Sequence, residues 1–244
     1  MKSAFAGLAV LALAAGSAEA GESGKPQAVV ELFTSQGCSS CPPADHLLGE
    51  LARDPSVIAL TLPVTYWDYL GWKDTLGSKA HSARQKAYSM ARGDRKIYTP
   101  QVIVNGIVPA VGNDPGAVDK AIKDAKSDAA GLSVEVAVEE DEDRIKVRAG
   151  APDEGAPTGE IWLLATAAVR EVTIARGENQ GRTVPYVNVV RKMTRLGPWT
   201  GKPCAYSIGK SEALAPDGDG YVVLVQEGTG GKPGRILGAA QARR

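Results

Sequence analysis

Two cysteines separated by two residues, Cys38 and Cys41, are the side chains in this sequence best suited to covalent chemistry. An apolar run over residues 28–34 predicts a buried strand just before them, and residues 42–53 predict an amphipathic helix just after them. The positive end of a helix dipole stabilises a thiolate, which is the reactive form of cysteine. The spacing therefore predicts a reactive thiol pair where a strand ends and a helix begins.

Two consecutive prolines follow Cys41 and fit only the first turn of a helix. We therefore predict that the helix begins near Ser39 or Ser40 and that Cys38 lies at its mouth. In this arrangement Cys38 is the exposed nucleophile and Cys41 the more buried resolving thiol. An inert disulfide is the alternative, but a bond across two intervening residues closes almost no loop and gains little stability from loop entropy. A redox or metal-binding role is the better interpretation.

An aromatic segment lies just past the second predicted strand, residues 57–65, in a chain with only 5% aromatic residues. Its members at the candidate site are Tyr66, Trp67 and Trp72. Ligands of open α/β sheets bind beyond the carboxyl ends of strands, which makes these residues candidates for a binding edge. An aromatic lid packed on the core explains them equally well.

The chain has 244 residues and a formal net charge of +0, so no bulk field attracts it to nucleic acid or to an anionic membrane. Residues 1–20 carry an apolar stretch and the small-residue pattern Ala18-Glu19-Ala20, which predict a cleaved export signal. A membrane anchor is the alternative for this segment. We predict a periplasmic or secreted protein that does not contact a membrane after cleavage, in an oxidising compartment where a cysteine pair can persist as a disulfide.

Hydrophobic patterning predicts the order β-α-β-α-β-β-α for residues 21–130, with a β-hairpin at Asn105-Gly106. Strand-length apolar runs separated by Gly- and Pro-rich turns then predict an antiparallel β-sandwich for residues 131–244. The predicted boundary lies near Gly131.

The element order, the Cys-x-x-Cys at the first helix and the Thr99-Pro100 pair before the hairpin together resemble the thioredoxin fold. The resemblance implies an α/β thioredoxin-like domain followed by an all-β sandwich-like C-terminal domain. It also implies that Pro100 is cis and packs against the sulfurs, with Thr99, Ser39 and Ser40 shaping the site. As thioredoxins use a buried carboxylate, it makes Glu31 a candidate proton acceptor for Cys41.

The sequence also resembles a bacterial family of secreted thioredoxin-like proteins that is catalogued only as a domain of unknown function. The segments that carry this resemblance are residues 31–38, 66–74 and 98–101, together with residues 176–179 and 188–191 of the second half. We therefore predict an exported thiol–disulfide oxidoreductase-like protein that needs no cofactor and whose partners are protein thiols or disulfides and a redox partner protein. Gly37 and Ser39-Ser40 depart from the usual thioredoxin residues, so the direction of electron transfer stays open.

Two alternatives from other functional classes remain. Thiolates bind soft copper, and the histidines that could complete such a site are His46 and His81. A non-catalytic binding module is the other alternative, and the polar residues of the second half that could form it are Arg176, Glu178, Asn179, Asn188 and Arg191. The third cysteine, Cys204, is either a small buried residue or a thiol that pairs elsewhere.

Overall fold

The structure, a computed structural model, describes residues 26–127, 131–155 and 157–243. The predicted export signal, residues 1–20, lies outside these ranges. Within them, no helix combines the length and the apolar character that crossing a bilayer requires.

Strands dominate the second half of the chain, whereas helices and strands alternate in the first. In chain order the elements are β1 (Ala28–Thr34), α1 (Pro42–Leu51), β2 (Val57–Pro63), α2 (Lys79–Arg92), β3 (Gln101–Val104), β4 (Val108–Val111), α3 (Pro115–Ser127), β5 (Val136–Glu140), β6 (Arg144–Ala149), β7 (Gly159–Thr173), β8 (Thr183–Trp199), β9 (Cys204–Gly209), α4 (Lys210–Ala213), β10 (Gly220–Glu227) and β11 (Ile236–Arg243). A single 3₁₀ turn, Asp68–Leu70, interrupts the segment between β2 and α2.

The first half places its strands in the order β2-β1-β3-β4. Strand β1 is central: it pairs in parallel with β2 and antiparallel with β3, and β3 continues into β4. Helices α1 and α3 bury their apolar residues against one face of this sheet. The opposite face packs against α2 and against strands of the second half.

The second half corrects the predicted sandwich, because β7, β8, β10 and β11 extend the first sheet. The eight strands run in the order β11-β10-β7-β8-β2-β1-β3-β4. Backbone pairing across the junction is limited to Thr61 of β2 and Val189 of β8. Two side chains add to it: Thr61 Oγ1 donates to the Val187 carbonyl at 2.6 Å, and Asn188 Nδ2 donates to the Ala59 carbonyl at 3.0 Å. The structure is therefore a mixed α/β fold with one large mixed sheet.

A second sheet, in the order β5-β6-β9, covers the far end of the large one. Its inward residues Ile145 and Val147 pack with Ile161, Trp199 and Val223 in a buried apolar layer. Sandwich-like packing is thus present, but one of its two layers belongs to the sheet that also carries β1. The division into domains 21–130 and 131–244 stays a prediction.

Candidate functional site

Cys38 and Cys41 form a disulfide in the loop between β1 and α1, with their Cα atoms 5.4 Å apart. Helix α1 begins at Pro42 with Cys41 as its N-cap residue, which agrees with the predicted helix over residues 42–53 and corrects the start near Ser39 or Ser40. Two successive turns occupy the residues before the helix: Cys38 N donates to the Ser35 carbonyl, and Cys41 N donates to the Cys38 carbonyl, each at 3.1 Å. Cys41, rather than Cys38, lies at the helix terminus.

Both sulfur-bearing residues are buried, which corrects the prediction of an exposed Cys38. The exposed fraction is 1% for Cys38 and 0% for Cys41. The two residues between them, Ser39 and Ser40, are exposed. Ser40 Oγ lies 3.5 Å from Cys38 Sγ, at hydrogen-bond distance for sulfur. A reacting partner can therefore touch the serines but has to gain access to the sulfurs.

Pro100 follows a cis peptide bond after Thr99, in agreement with what the resemblance implies, and it is buried. Gly112 of the turn after β4 lies beside it, and the Gly112 amide donates to the Pro100 carbonyl at 2.9 Å. A Cβ atom on Gly112 would lie 3.0 Å from Pro100 Cβ and 3.3 Å from Ala44 Cβ in the first turn of α1. Pro100 and the start of α1 thus meet across a space that only glycine leaves open.

The aromatic segment after β2 stabilises the loop that carries the disulfide. Trp72 Nε1 donates to Gln36 Oε1 at 2.8 Å, and Trp67 Nε1 donates to Thr99 Oγ1 at 2.7 Å. The Cα of Gly37 lies against Trp67, where a Cβ would come within 3.1 Å of the Trp67 Cβ. Both indoles therefore connect the segment to residues adjoining Cys38 and Pro100.

The tyrosines of the same segment stay nearer to solvent. Tyr66 is 36% exposed and its hydroxyl donates to Gln85 Oε1 at 3.2 Å, whereas Tyr69 is 77% exposed. The segment thus combines an inner edge that contacts the loop with an outer edge that faces solvent.

Glu31 does not take the role that the resemblance implies. Its side chain is fully buried and accepts hydrogen bonds of 2.6 Å from Arg84 Nε and from the Tyr88 hydroxyl of α2. Successive residues of a strand point to opposite faces. Val30 and Leu32 pack in the core that contains α1, so Glu31 between them points to the α2 face. Its prediction as proton acceptor for Cys41 is therefore corrected.

The buried acid on the α1 side is Asp45, which the sequence reasoning missed. It lies one helical turn after Cys41, and its amide donates to the Cys41 carbonyl at 3.1 Å. Burial raises the pKa of Asp45 from 3.8 to about 8, although the Thr34 hydroxyl opposes the rise. Neither carboxyl oxygen of Asp45 nor Thr34 Oγ1 has a hydrogen-bond partner of good geometry among the described residues. The sequence signal that could have indicated the burial of Asp45 is its spacing of three residues from Leu48, which places both on the buried face of α1.

A second buried acid, Asp74, supports the loop from its other side. Its carboxylate accepts from the amides of Gln36 at 2.8 Å and Leu76 at 2.9 Å. Burial raises the pKa of Asp74 despite these bonds. Burial also raises the pKa of Tyr186 on β8, and the charges of Asp45 and Asp74 add to that rise. Burial therefore raises the pKa of Asp45, Asp74 and Tyr186 alike.

The buried Asp45 predicts a pH dependence of stability. Its folded pKa of about 8 exceeds 3.8, so the folded chain holds a proton that the unfolded chain releases between these values. Stability from this group falls as pH rises through that window, by at most about 1.4 kcal/mol per pH unit. Asp45→Asn should therefore gain on the wild type in free energy of unfolding as pH rises from 5 to 8. Urea unfolding of both chains measures this, and parallel profiles would contradict it.

Asn179 is the member of the predicted polar set that reaches the disulfide loop. It lies in the turn between β7 and β8, is 1% exposed, and its Nδ2 donates to the carbonyls of Gln36 at 3.0 Å and Cys38 at 2.8 Å. The other members have different surroundings. Arg176 and Glu178 are exposed, Asn188 binds Ala59, and Arg191 pairs with Asp217. The structure does not gather the set into one ligand site.

The histidines considered for copper lie in unlike environments. His46 is on the exposed face of α1, 3.9 Å from Glu50, whereas His81 is buried with Nδ1 2.8 Å from the Pro63 carbonyl. Burial lowers the pKa of His81 to about 4. In the described part of the chain, no three His, Cys, Asp or Glu side chains are grouped so that they could hold a metal ion. Cys204 is a free, half-buried thiol on β9, and burial raises its pKa.

Comparison with known proteins shows how this chain is related to others. The crystal structure of protein AGR_C_4864 from Agrobacterium tumefaciens is similar to it, with a TM-score of 0.80 and 32% identity, over 90% of this chain and 95% of that one. HBP35 of Porphyromonas gingivalis shares the fold, with a TM-score of 0.62 and 13% identity, over 90% of this chain and 75% of that one. No curated protein matches the sequence. The family model described as "Protein of unknown function (DUF1223)" matches residues 29–226, and the chain belongs to that family.

Proposed function

We propose that this chain is an exported thiol–disulfide oxidoreductase whose first half has a thioredoxin-like fold and whose clients are protein thiols or disulfides. The observation that carries the proposal is the Cys38–Cys41 disulfide in the turn between β1 and α1, with cis-Pro100 and the first turn of that helix both beside Gly112. The strand order β2-β1-β3-β4, in which β1 and β2 pair in parallel and the other neighbours pair antiparallel, is the order of a thioredoxin fold and supports the proposal.

The exchange reaction proceeds in two balanced steps from the disulfide state. A client thiolate attacks Cys38 Sγ, a client–Cys38 disulfide forms, and the Cys38–Cys41 bond breaks with Cys41 leaving as a thiolate. A second client thiolate then attacks the client sulfur of this mixed disulfide and expels the Cys38 thiolate. The client loses two electrons and gains a disulfide, while Cys38 and Cys41 gain the two electrons. Reversal of both steps reduces a client disulfide.

Asp45 is the group that we assign to the proton on Cys41. With its pKa raised by burial to about 8, Asp45 is protonated at neutral pH and can protonate the leaving Cys41 thiolate. The resulting carboxylate can take the proton back when the disulfide forms again, as a general base does. Its place one turn along α1 from Cys41 keeps it within the same buried layer.

Insulin reduction by the purified mature chain with dithiothreitol as the electron donor, and reactivation of scrambled ribonuclease, test the proposal. Both activities should exceed those of buffer, and Cys204→Ser should retain them because Cys204 lies on β9, outside the disulfide loop. A glutathione redox titration should give a Cys38–Cys41 potential above about −300 mV, the range of working couples. A potential well below that range, together with no exchange, would identify a structural bond instead.

A further inference from the structure

The turn between β7 and β8, residues 174–182, lies against the loop that carries the disulfide. Asn179 makes the contact: its Nδ2 donates to the carbonyls of both Gln36 and Cys38, partners more than 140 residues away in sequence. Gly177 extends the contact, since a Cβ on it would lie 3.6 Å from the Trp72 Cβ. Trp72 in turn donates to Gln36, so turn, indole and loop form one connected unit.

The turn is held in shape before it meets the loop. Ile174 N donates to the Arg182 carbonyl at 2.9 Å, and Gly181 N donates to the Ile174 carbonyl at 2.8 Å. Arg182 N donates to the carbonyl of Asn179 itself at 3.1 Å. Asn179 is therefore presented by a hairpin end that its own backbone hydrogen bonds close.

The closed position of the turn carries an energetic defect. Asn179 Oδ1 is buried and has no hydrogen-bond partner among the described residues. An unsatisfied buried acceptor costs free energy that hydration would recover if the turn moved away. The two bonds from Nδ2 are thus partly offset, and the contact is weaker than its donor count suggests.

We propose that Asn179 is the specificity-determining residue of the exchange reaction that we assign to this chain. Its two hydrogen bonds hold the β7–β8 turn over the disulfide loop and keep Cys38 and Cys41 buried. Thiols then react only after the turn has been displaced, which favours a protein partner that binds the surrounding surface and moves the turn. Small thiols in solution are disfavoured. This inference rests on the proposed function for its consequence, but the shielding is measurable without it.

The test is the rate at which dithiothreitol reduces the disulfide in the intact mature chain, followed by acid quenching, alkylation and mass spectrometry. Asn179→Ala removes both donors, and we expect its second-order rate constant to rise about tenfold, as for a net loss of about one hydrogen bond. Asn179→Asp keeps the shape of the side chain but loses both donors, so its rate constant for reduction should rise by a similar factor. The matched control Glu178→Ala changes an exposed neighbour in the same turn and should leave the rate unchanged.

A further control separates local opening from general loosening. Glu31→Gln weakens the core on the α2 face and does not touch the turn, so it should lower the free energy of unfolding without accelerating reduction. Equal acceleration in Glu31→Gln, or none in Asn179→Ala and Asn179→Asp, would overturn the proposal. If Asn179→Ala is reduced faster by dithiothreitol but neither variant nor wild type reduces insulin, the shielding of the disulfide by the turn is supported and the proposed activity is contradicted. If insulin is reduced but dithiothreitol reduces the Asn179 variants at the wild-type rate, only the shielding by the turn is contradicted.

Discussion

Cys38→Ser should lower the rate of insulin reduction roughly a thousandfold or more, to the background of the buffer, because it removes the attacking sulfur of a covalent mechanism. The fold should survive. The lost bond spans a sequence separation of 3. The loop-entropy contribution of so short a closure is below about 2 kcal/mol. Turbidity assays of insulin reduction and urea unfolding of the same preparation measure both effects.

Cys41→Ser is the informative companion of that variant. It keeps the attacking Cys38 thiolate but lacks the sulfur that resolves the mixed disulfide, so it should accumulate client adducts that dithiothreitol releases. Cys204→Ser supplies the control for loss of a thiol as such. If Cys38→Ser retained insulin reduction, or if adducts formed on Cys204, the assignment of Cys38 as nucleophile would be wrong.

Glu31→Ala should destabilise the chain by about 3–5 kcal/mol, because removing one partner of a buried ion pair leaves the other charge uncompensated. Arg84 would be that charge. Although burial alone lowers its pKa, Glu31 holds the pKa of Arg84 above its ordinary range. Arg84 also donates to the Tyr88 hydroxyl at 2.7 Å and to Gln226 Oε1 at 3.0 Å, so the loss extends to β10. Urea unfolding at neutral pH measures the change.

An exposed ion pair provides the matched control. Lys120 and Asp124 lie one turn apart on α3 with their charged atoms at 2.6 Å, and their side chains are 75% and 52% exposed. Asp124→Ala should cost less than about 1 kcal/mol. The double variant Glu31→Leu/Arg84→Met should recover much of the loss, since apolar replacement of a buried pair is often neutral or better. Equal costs for Glu31→Ala and Asp124→Ala would contradict the buried-pair account.

Local sequence signals were sufficient for the elements of the first half. The apolar run of β1 ends at Thr34, and the turn at Asn105-Gly106 joins β3 to β4. Both depend on residues next to one another in the chain, and both were predicted within about a residue. The cis bond at Pro100 came from the family resemblance, because an X–Pro bond alone is more often trans.

The features that the sequence did not reveal depend on contacts between distant residues. Strand β8 joins β2 through one backbone pair, and its side-chain bond from Thr61 spans 126 positions. The hydrophobic periodicity of a strand does not indicate which distant strand it will pair with. The position of Asn179 on the Cys38 loop is hidden for the same reason. Alternation along β1 places Glu31 on the face opposite Val30 and Leu32, but only the tertiary packing shows that α1 lies on the side of Val30 and Leu32.

The junction between β2 and β8, which has one backbone pair, sets the register of the β7–β8 hairpin along β2. Asn188 adopts a φ of 45°, in the left-handed region that asparagine tolerates better than most residues, and its amide binds β2 at Ala59. A slip of one residue there would shift the hairpin by about 3.3 Å and reverse which side chains face inward. The distance between the Cys38–Cys41 disulfide and the β7–β8 turn is therefore set at Asn188, nine positions downstream of Asn179.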